Sequence, residues 1–176
     1  MYVEKLFNLK GKVVGVIGGG GYLCSEMAKS FAKAGCFVII IDIREEKAKK
    51  VENEINKLGF KNTLSLSLDV GEKEEHKFVL NSILDKFGKL DVIINGAGIN
   101  GSTPYLEISD KEWNSIMDSQ IKGTFLGCQV YGAHMLEQGA GNIINISSAS
   151  AGPPLSRALL ISYSTLLMSP ATLELM

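Results

Sequence analysis

The sequence predicts an α/β domain built on a doubly wound parallel sheet with helices on both faces. Three observations predict it. Short, β-branched apolar runs alternate with helical stripes from residue 13 to residue 147. The runs are continuous rather than alternating, as strands covered on both faces require. The first run opens into four successive glycines, Gly18 to Gly21, directly ahead of a helical stripe.

The elements follow in order. Val13 to Ile17 is too short for a buried helix and reads as a strand. Leu23, Met27, Phe31 and Ala34 then recur at helical intervals up to Gly35, predicting an amphipathic helix with that stripe inward. Phe37 to Ile41 is a second buried strand, and Ala48, Val51, Ile55 and Leu58 stripe a charged helix ending at Gly59. Leu64, Leu66 and Leu68 predict a third strand. Val79, Ile83 and Phe87 mark a helix closed by Gly88, and Asp91 to Asn95 is the fourth strand. Asp110 to Gln138 reads as helix in two pieces, and Asn142 to Ser147 as strand five. No repeat or linker divides the 176 residues, so one domain is expected.

Composition narrows the function classes. Eighteen Lys and Arg against 19 Asp and Glu leave a net charge of −1, so nothing draws the chain to nucleic acid or an anionic membrane. The longest strongly apolar run, Cys36 to Ile41, is far short of the ~20 residues that span a bilayer. Cys24, Cys36 and Cys128 have no metal-ligand spacing and cannot all pair, which predicts a reduced, cytoplasmic, metal-free protein. Glycine is in excess, 19 residues against a usual level of roughly 7%, and clusters at 18–21 and 96–101. Clustered glycine means backbone closely approached.

A strand, a glycine run and a helix together form the place where a doubly wound fold receives a dinucleotide pyrophosphate. Helix amides and the positive end of the helix dipole face the phosphates. Asp42 closes the second strand, 24 residues after Gly18, where a carboxylate accepts hydrogen bonds from the adenosine ribose and repels a 2′-phosphate. NAD is therefore expected over NADP, with Arg44 weighing the other way. The alternatives at this point are a merely flexible turn and an Asp42 that only caps the next helix.

Four later segments carry a resemblance: Asp69-Val70, Asn95-Gly96-Ala97-Gly98, Ile121-Lys122-Gly123-Thr124-Phe125, and Asn142-Ile143-Ile144-Asn145-Ile146-Ser147-Ser148. In this order the chain resembles the short-chain dehydrogenase/reductase family, from about Leu9 to Arg157, and is similar to its mannonate (fructuronate) or gluconate-type branch. The resemblance implies a Rossmann-like fold, a nicotinamide cofactor and a small-molecule substrate. It implies that Gly18, Gly19, Gly20, Gly21, Tyr22 and Leu23 hold the pyrophosphate, Asp42 the ribose, and Asp69 with Val70 the adenine edge. Asn95, Ala97 and Gly98 would steady the sheet centre beneath the cofactor, and Ser148 would bind the substrate oxygen. It also implies pairing of copies through the long helix.

Some positions depart from that pattern. Tyr22 and Cys24 stand where the family has glycine, so either Gly20 and Gly21 make the turn or the cofactor sits slightly differently, because a Cβ resists positive φ. Cys24, at a helix start, is either a lowered-pKa thiol or a packed small residue. Gln120 replaces an asparagine of the proton relay. The family uses a tyrosine with a lysine one helical turn later to take the alcohol proton, since a free phenol has a pKa of about 10. Tyr163 is the one tyrosine after Ser148, yet Leu167 holds the lysine's position, and no lysine follows Lys122. Tyr163 is therefore either a displaced acid/base or a tyrosine in an altered end. The pattern frays after Ser150, and truncation or a frame change is expected after about Arg157, with the C-terminal strands missing. Two readings result: an NAD-dependent oxidoreductase acting on a secondary alcohol or ketone, and a catalytically inactive nucleotide-binding module.

Overall fold

The structure, a computed structural model, describes residues 7–148. Tyr163, Arg157 and the tail expected to be atypical lie outside the described residues. Five strands form one parallel sheet: β1 (Val13–Ile17), β2 (Phe37–Asp42), β3 (Thr63–Ser67), β4 (Val92–Asn95) and β5 (Asn142–Asn145). Their order is β3-β2-β1-β4-β5. The chain therefore reverses its direction of travel across the sheet between β1 and β4, and a crevice opens there at the carboxyl ends of the strands.

The side-chain parity of β1 and β2 sorts the core into two layers. Val14, Val16, Val38 and Ile40 meet α1 (Tyr22–Lys33) and α2 (Glu45–Lys57) on one face. Val13, Ile17, Ile39 and Ile41 meet α3 (Lys73–Phe87) and α5 (Gly123–Gln138) on the other. Strands sandwiched this way have no solvent face, which is why β1 is apolar at every position around Gly15.

Two expectations need correction. The face of α1 that meets the sheet is Cys24, Ala28 and Ala32, not the stripe of larger residues; Leu23 is 55% exposed. Small side chains let this helix approach the sheet closely, and the large ones fall to its flank. Continuous burial also fails at the sheet edges. β3 grades from buried to exposed, and β5 is mostly exposed among the described residues, since an edge strand has a neighbour on one side only. The long helix comes in two pieces, as expected. A π turn, Asp118–Lys122, joins α4 (Asp110–Met117) to α5.

Two polar ties set the register of β4. Asp91 accepts the Val13 N–H at 2.9 Å through Oδ2 and pairs with Lys12 (2.8 Å) and Lys89 (2.7 Å). At the other end Asn95 Nδ2 donates to Asn145 Oδ1 at 2.8 Å. Asn95 is buried under α5, where a Cβ on Gly127 would stand 2.5 Å from its Oδ1.

Candidate functional site

A cleft of about 700 Å3 lies at the carboxyl ends of β1, β2 and β4, within the range of cofactor sites. Its floor begins with the glycine loop. Gly18 takes φ +77°, and a Cβ there would lie 2.7 Å from the Gly96 carbonyl oxygen. Gly18 therefore makes the turn, rather than Gly20 and Gly21 as in the first alternative. Tyr22 needs no positive φ: it is the first residue of α1, after Gly21 at φ −79°, and stands 91% exposed on the cleft rim.

The loop amides divide their work. Gly19 donates to Ile41 O (2.9 Å), Gly20 to Asp42 Oδ2 (3.1 Å) and Gly21 to Gly18 O (2.9 Å). Ser25 is the first residue of α1 whose N–H reaches a backbone acceptor, Gly21 O. The amides of Tyr22, Leu23 and Cys24 precede it at the helix start, so these present the donors and the dipole to the cleft. Of the glycines expected to hold a pyrophosphate, Gly18 and Gly21 line the cleft, while Gly19 and Gly20 shape it from behind.

Asp42 is buried and lines the cleft. It does not cap the following helix, whose N-cap is Arg44 without a side-chain bond. Its Oδ1 accepts from the Arg44 backbone N–H at 3.0 Å and lies 3.5 Å from Arg44 Nε. The carboxylate therefore joins the end of β2 to the glycine loop.

Cys24 settles between its two alternatives. It is buried with Sγ 3.8 Å from Gly96 O, and burial, then the Asp42 charge, pushes its thiol pKa up. It is a packed small residue, not an activated thiol.

The remaining residues fall into place around the cleft. Asp69 and Val70 line its far wall after β3; Asp69 Oδ1 accepts from Gly71 N at 2.9 Å, and Asp69 N donates to Glu75 Oε2 at 2.6 Å. Ala97 and Gly98 line the near wall, with Asn95 buried behind them. Gln120 is buried in the π turn against Gly98, and its Nε2 donates to Ile99 O at 2.8 Å. Ser148, half-buried, is the last described residue, three positions beyond β5. Of the residues expected to hold the cofactor, all but Gly19, Gly20 and Asn95 line this one cleft; Gln120 and Ser148 are not among its lining residues, and Tyr163 lies outside the described residues.

Sequence reasoning missed the wall formed by Ser115, Asp118, Ser119 and Lys122. Their spacing of i, i+3, i+4 and i+7 is a polar stripe on one helical face. That signal was present, but a polar helical face ordinarily means solvent rather than a ligand.

The fit to a dinucleotide rests on these features. Gly18 and Gly96 leave backbone bare where a Cβ would collide, helix-start amides face the cleft, and a carboxylate stands at its β2 edge.

Comparisons with known proteins agree with this geometry. The chain is 31% identical to the NAD-dependent glycerol dehydrogenase of Listeria innocua over 148 residues, 84% of this chain and 57% of that protein. It is 35% identical over 143 residues to the 2-dehydro-3-deoxy-D-gluconate 5-dehydrogenase of Escherichia coli, covering 81% and 55%. The chain thus spans a little over half the length of these relatives. Among solved structures, 3-ketoacyl-(acyl-carrier-protein) reductase from Brucella melitensis, complexed with NADH, superposes with a TM-score of 0.84 at 28% identity, covering 90% of this chain and 66% of that one. The short chain dehydrogenase pattern itself matches residues 12–165, past Arg157 and through Tyr163. On that match and this cleft, the chain belongs to the short chain dehydrogenase family.

Proposed function

We propose that this chain binds NAD(H) in the cleft and transfers a hydride between the nicotinamide and a secondary alcohol or ketone. The observation that carries the reading is Asp42. Its carboxylate holds the glycine loop through Gly20 and faces the cleft where an adenosine ribose would lie. NAD is favoured over NADP because that charge repels a 2′-phosphate, and the nearby cation, Arg44, is already paired to it.

The residues divide the task. The amides opening α1 neutralise the diphosphate, Asp69 and Val70 bound the adenine, and Ala97 and Gly98 lie beneath the nicotinamide end. The cofactor supplies hydride chemistry; the protein supplies orientation and proton handling. Ser148 orients the substrate oxygen and Tyr163 exchanges its proton, with Gln120 holding the Ile99 carbonyl beside the π turn.

The substrate class is a polyol or sugar acid. Relatives named for glycerol and for 2-dehydro-3-deoxy-D-gluconate support it, and the mannonate/fructuronate pair is the specific member to try. Exposed Phe125 and Leu136 on α5 favour pairing of two copies. Among the described residues no helix is long and apolar enough to cross a membrane; we place the protein in the cytoplasm.

The test is a titration with NADH followed by fluorescence, then turnover with a panel of polyols and keto-sugar acids. Binding with turnover on a member of that panel is expected. Binding without turnover would leave a nucleotide-binding module, the reading that Leu167 favours. An unchanged NADH signal would sink the assignment.

A further inference from the structure

His76 is fully buried on α3 and meets Tyr131 of α5 edge-on, with ring centroids 5.6 Å apart and planes inclined at 66°. A phenylalanine or leucine would fill this space without polar atoms to satisfy, so an imidazole here needs a reason. One ring nitrogen supplies it. His76 Nε2 lies 2.9 Å from the Val70 carbonyl oxygen. A carbonyl only accepts, so Nε2 carries the hydrogen and donates, and Nδ1 is left as an acceptor. Among the described residues neither Nδ1 nor the Tyr131 hydroxyl has a partner. The interface tolerates two unsatisfied atoms and keeps one bond, the bond to Val70.

That bond fixes a wall of the cleft. Val70 belongs to the irregular segment between β3 and α3, which lines the cleft from Leu68 to Glu72. At its β3 end the segment is tied by the Leu68 N–H donating to the Asp42 carbonyl at 3.3 Å; beyond Leu68 the other ties, Asp69 to Gly71, Asp69 to Glu75 and Glu72 N–H to Asp69 O, are local. The Val70 side chain rests on α5 at Gly123, where a Cβ would stand 2.6 Å from Val70 Cγ2. Val70 is thus held on one side by a donor from α3 and seated on the other against a helix that has made room for it.

We infer that His76 is a positioning residue for the cofactor, setting the Val70 wall at the adenine end of the cleft through its Nε2–H. The inference rests on the dinucleotide reading given above. Burial keeps the ring neutral at pH 7, outweighing the Val70 bond and the charges of Glu75 and Asp69, while Tyr131 of α5 stays un-ionised.

The test uses the full chain and NADH titrations of paired variants. His76→Phe fills the volume without a donor and should weaken NADH binding about tenfold. His76→Gln keeps an N–H within reach of Val70 and should stay within about threefold of wild type. Equal losses in the two variants, or none in either, overturn the inference while leaving the cofactor reading intact. A wild-type chain that fails to bind NADH removes both. Long-range proton–nitrogen NMR of the wild-type imidazole is independent of variant folding. An Nε2-protonated ring whose signals move on adding NADH is expected; an Nδ1-protonated ring, or one unmoved by bound NADH, overturns the inference.

Discussion

The Gly20 amide donates to the Asp42 carboxylate across 3.1 Å, so the residue proposed to meet the adenosine ribose also holds the loop proposed to meet the diphosphate. One side chain couples the two halves of the site. The space agrees: a Cβ on Gly20 would stand 2.8 Å from Asp42 Oδ2 and 2.7 Å from Lys47 Cβ. The loop and the end of β2 are fitted to each other.

Asp42→Ala should weaken NADH binding by more than tenfold, since it removes the proposed ribose acceptor and leaves the Gly20 amide unpaired, at about 1–3 kcal/mol for the amide alone. Asp42→Asn keeps an acceptor for Gly20 and removes the charge. It should retain most of the stability and lower the preference for NADH over NADPH. Titrating both cofactors into both variants, with melting temperatures alongside, separates the two roles. Equal affinities in wild type and Asp42→Ala would refute the coupling.

Gly96 and Cys24 share a contact that only glycine permits. A Cβ on Gly96 would lie 2.5 Å from Cys24 Sγ and 3.1 Å from Ile17 O. Gly96→Ala should therefore cost about 1–3 kcal/mol by overpacking. In a Cys24→Ala background the same change should cost less, because the sulfur is gone. The double-mutant cycle by chemical denaturation checks this, and a coupling energy near zero would mean that the loop shifts instead.

Asp91 predicts how the fold responds to acid. Burial alone would raise its carboxyl pKa, but Lys12, Lys89 and the Val13 N–H hold it below the usual carboxylate range. A depressed carboxyl contributes stability above its unfolded pKa of about 3.9, lost as pH falls through the lower folded value. Asp91→Asn should keep the Val13 bond and flatten the fall in melting temperature below about pH 4. Asp91→Ala should also lose about 1–3 kcal/mol at neutral pH, because a buried N–H goes unpaired. The two lysines are about half exposed, so their pairs add little on their own. An acid profile identical in wild type and Asp91→Asn would contradict this account.

Much of the fold was legible because sandwiched strands leave a plain record. Val13 to Ile17 and Phe37 to Ile41 are continuous apolar runs, and Gly35 and Gly88 take positive φ where the helices were expected to end. Asp42 was legible as a partner of the glycine run because the offset along the chain is fixed by one helix and one strand. The inward face of α1 was not. Leu23, Met27 and Phe31 make the more hydrophobic stripe, but closeness to the sheet selects Cys24, Ala28 and Ala32.

The order of elements, the glycine turn and the acidic partner were determined by the sequence itself, since each depends on local backbone chemistry and on periodicity. Only the tertiary structure decided which glycine turns the chain, which amides remain for a ligand, and that the stripe from Ser115 to Lys122 walls the cleft. It also decided that a buried imidazole on α3 reaches the carbonyl of Val70. Those outcomes turn on distances between residues far apart in the chain or on direction in space, and periodicity along one dimension carries neither.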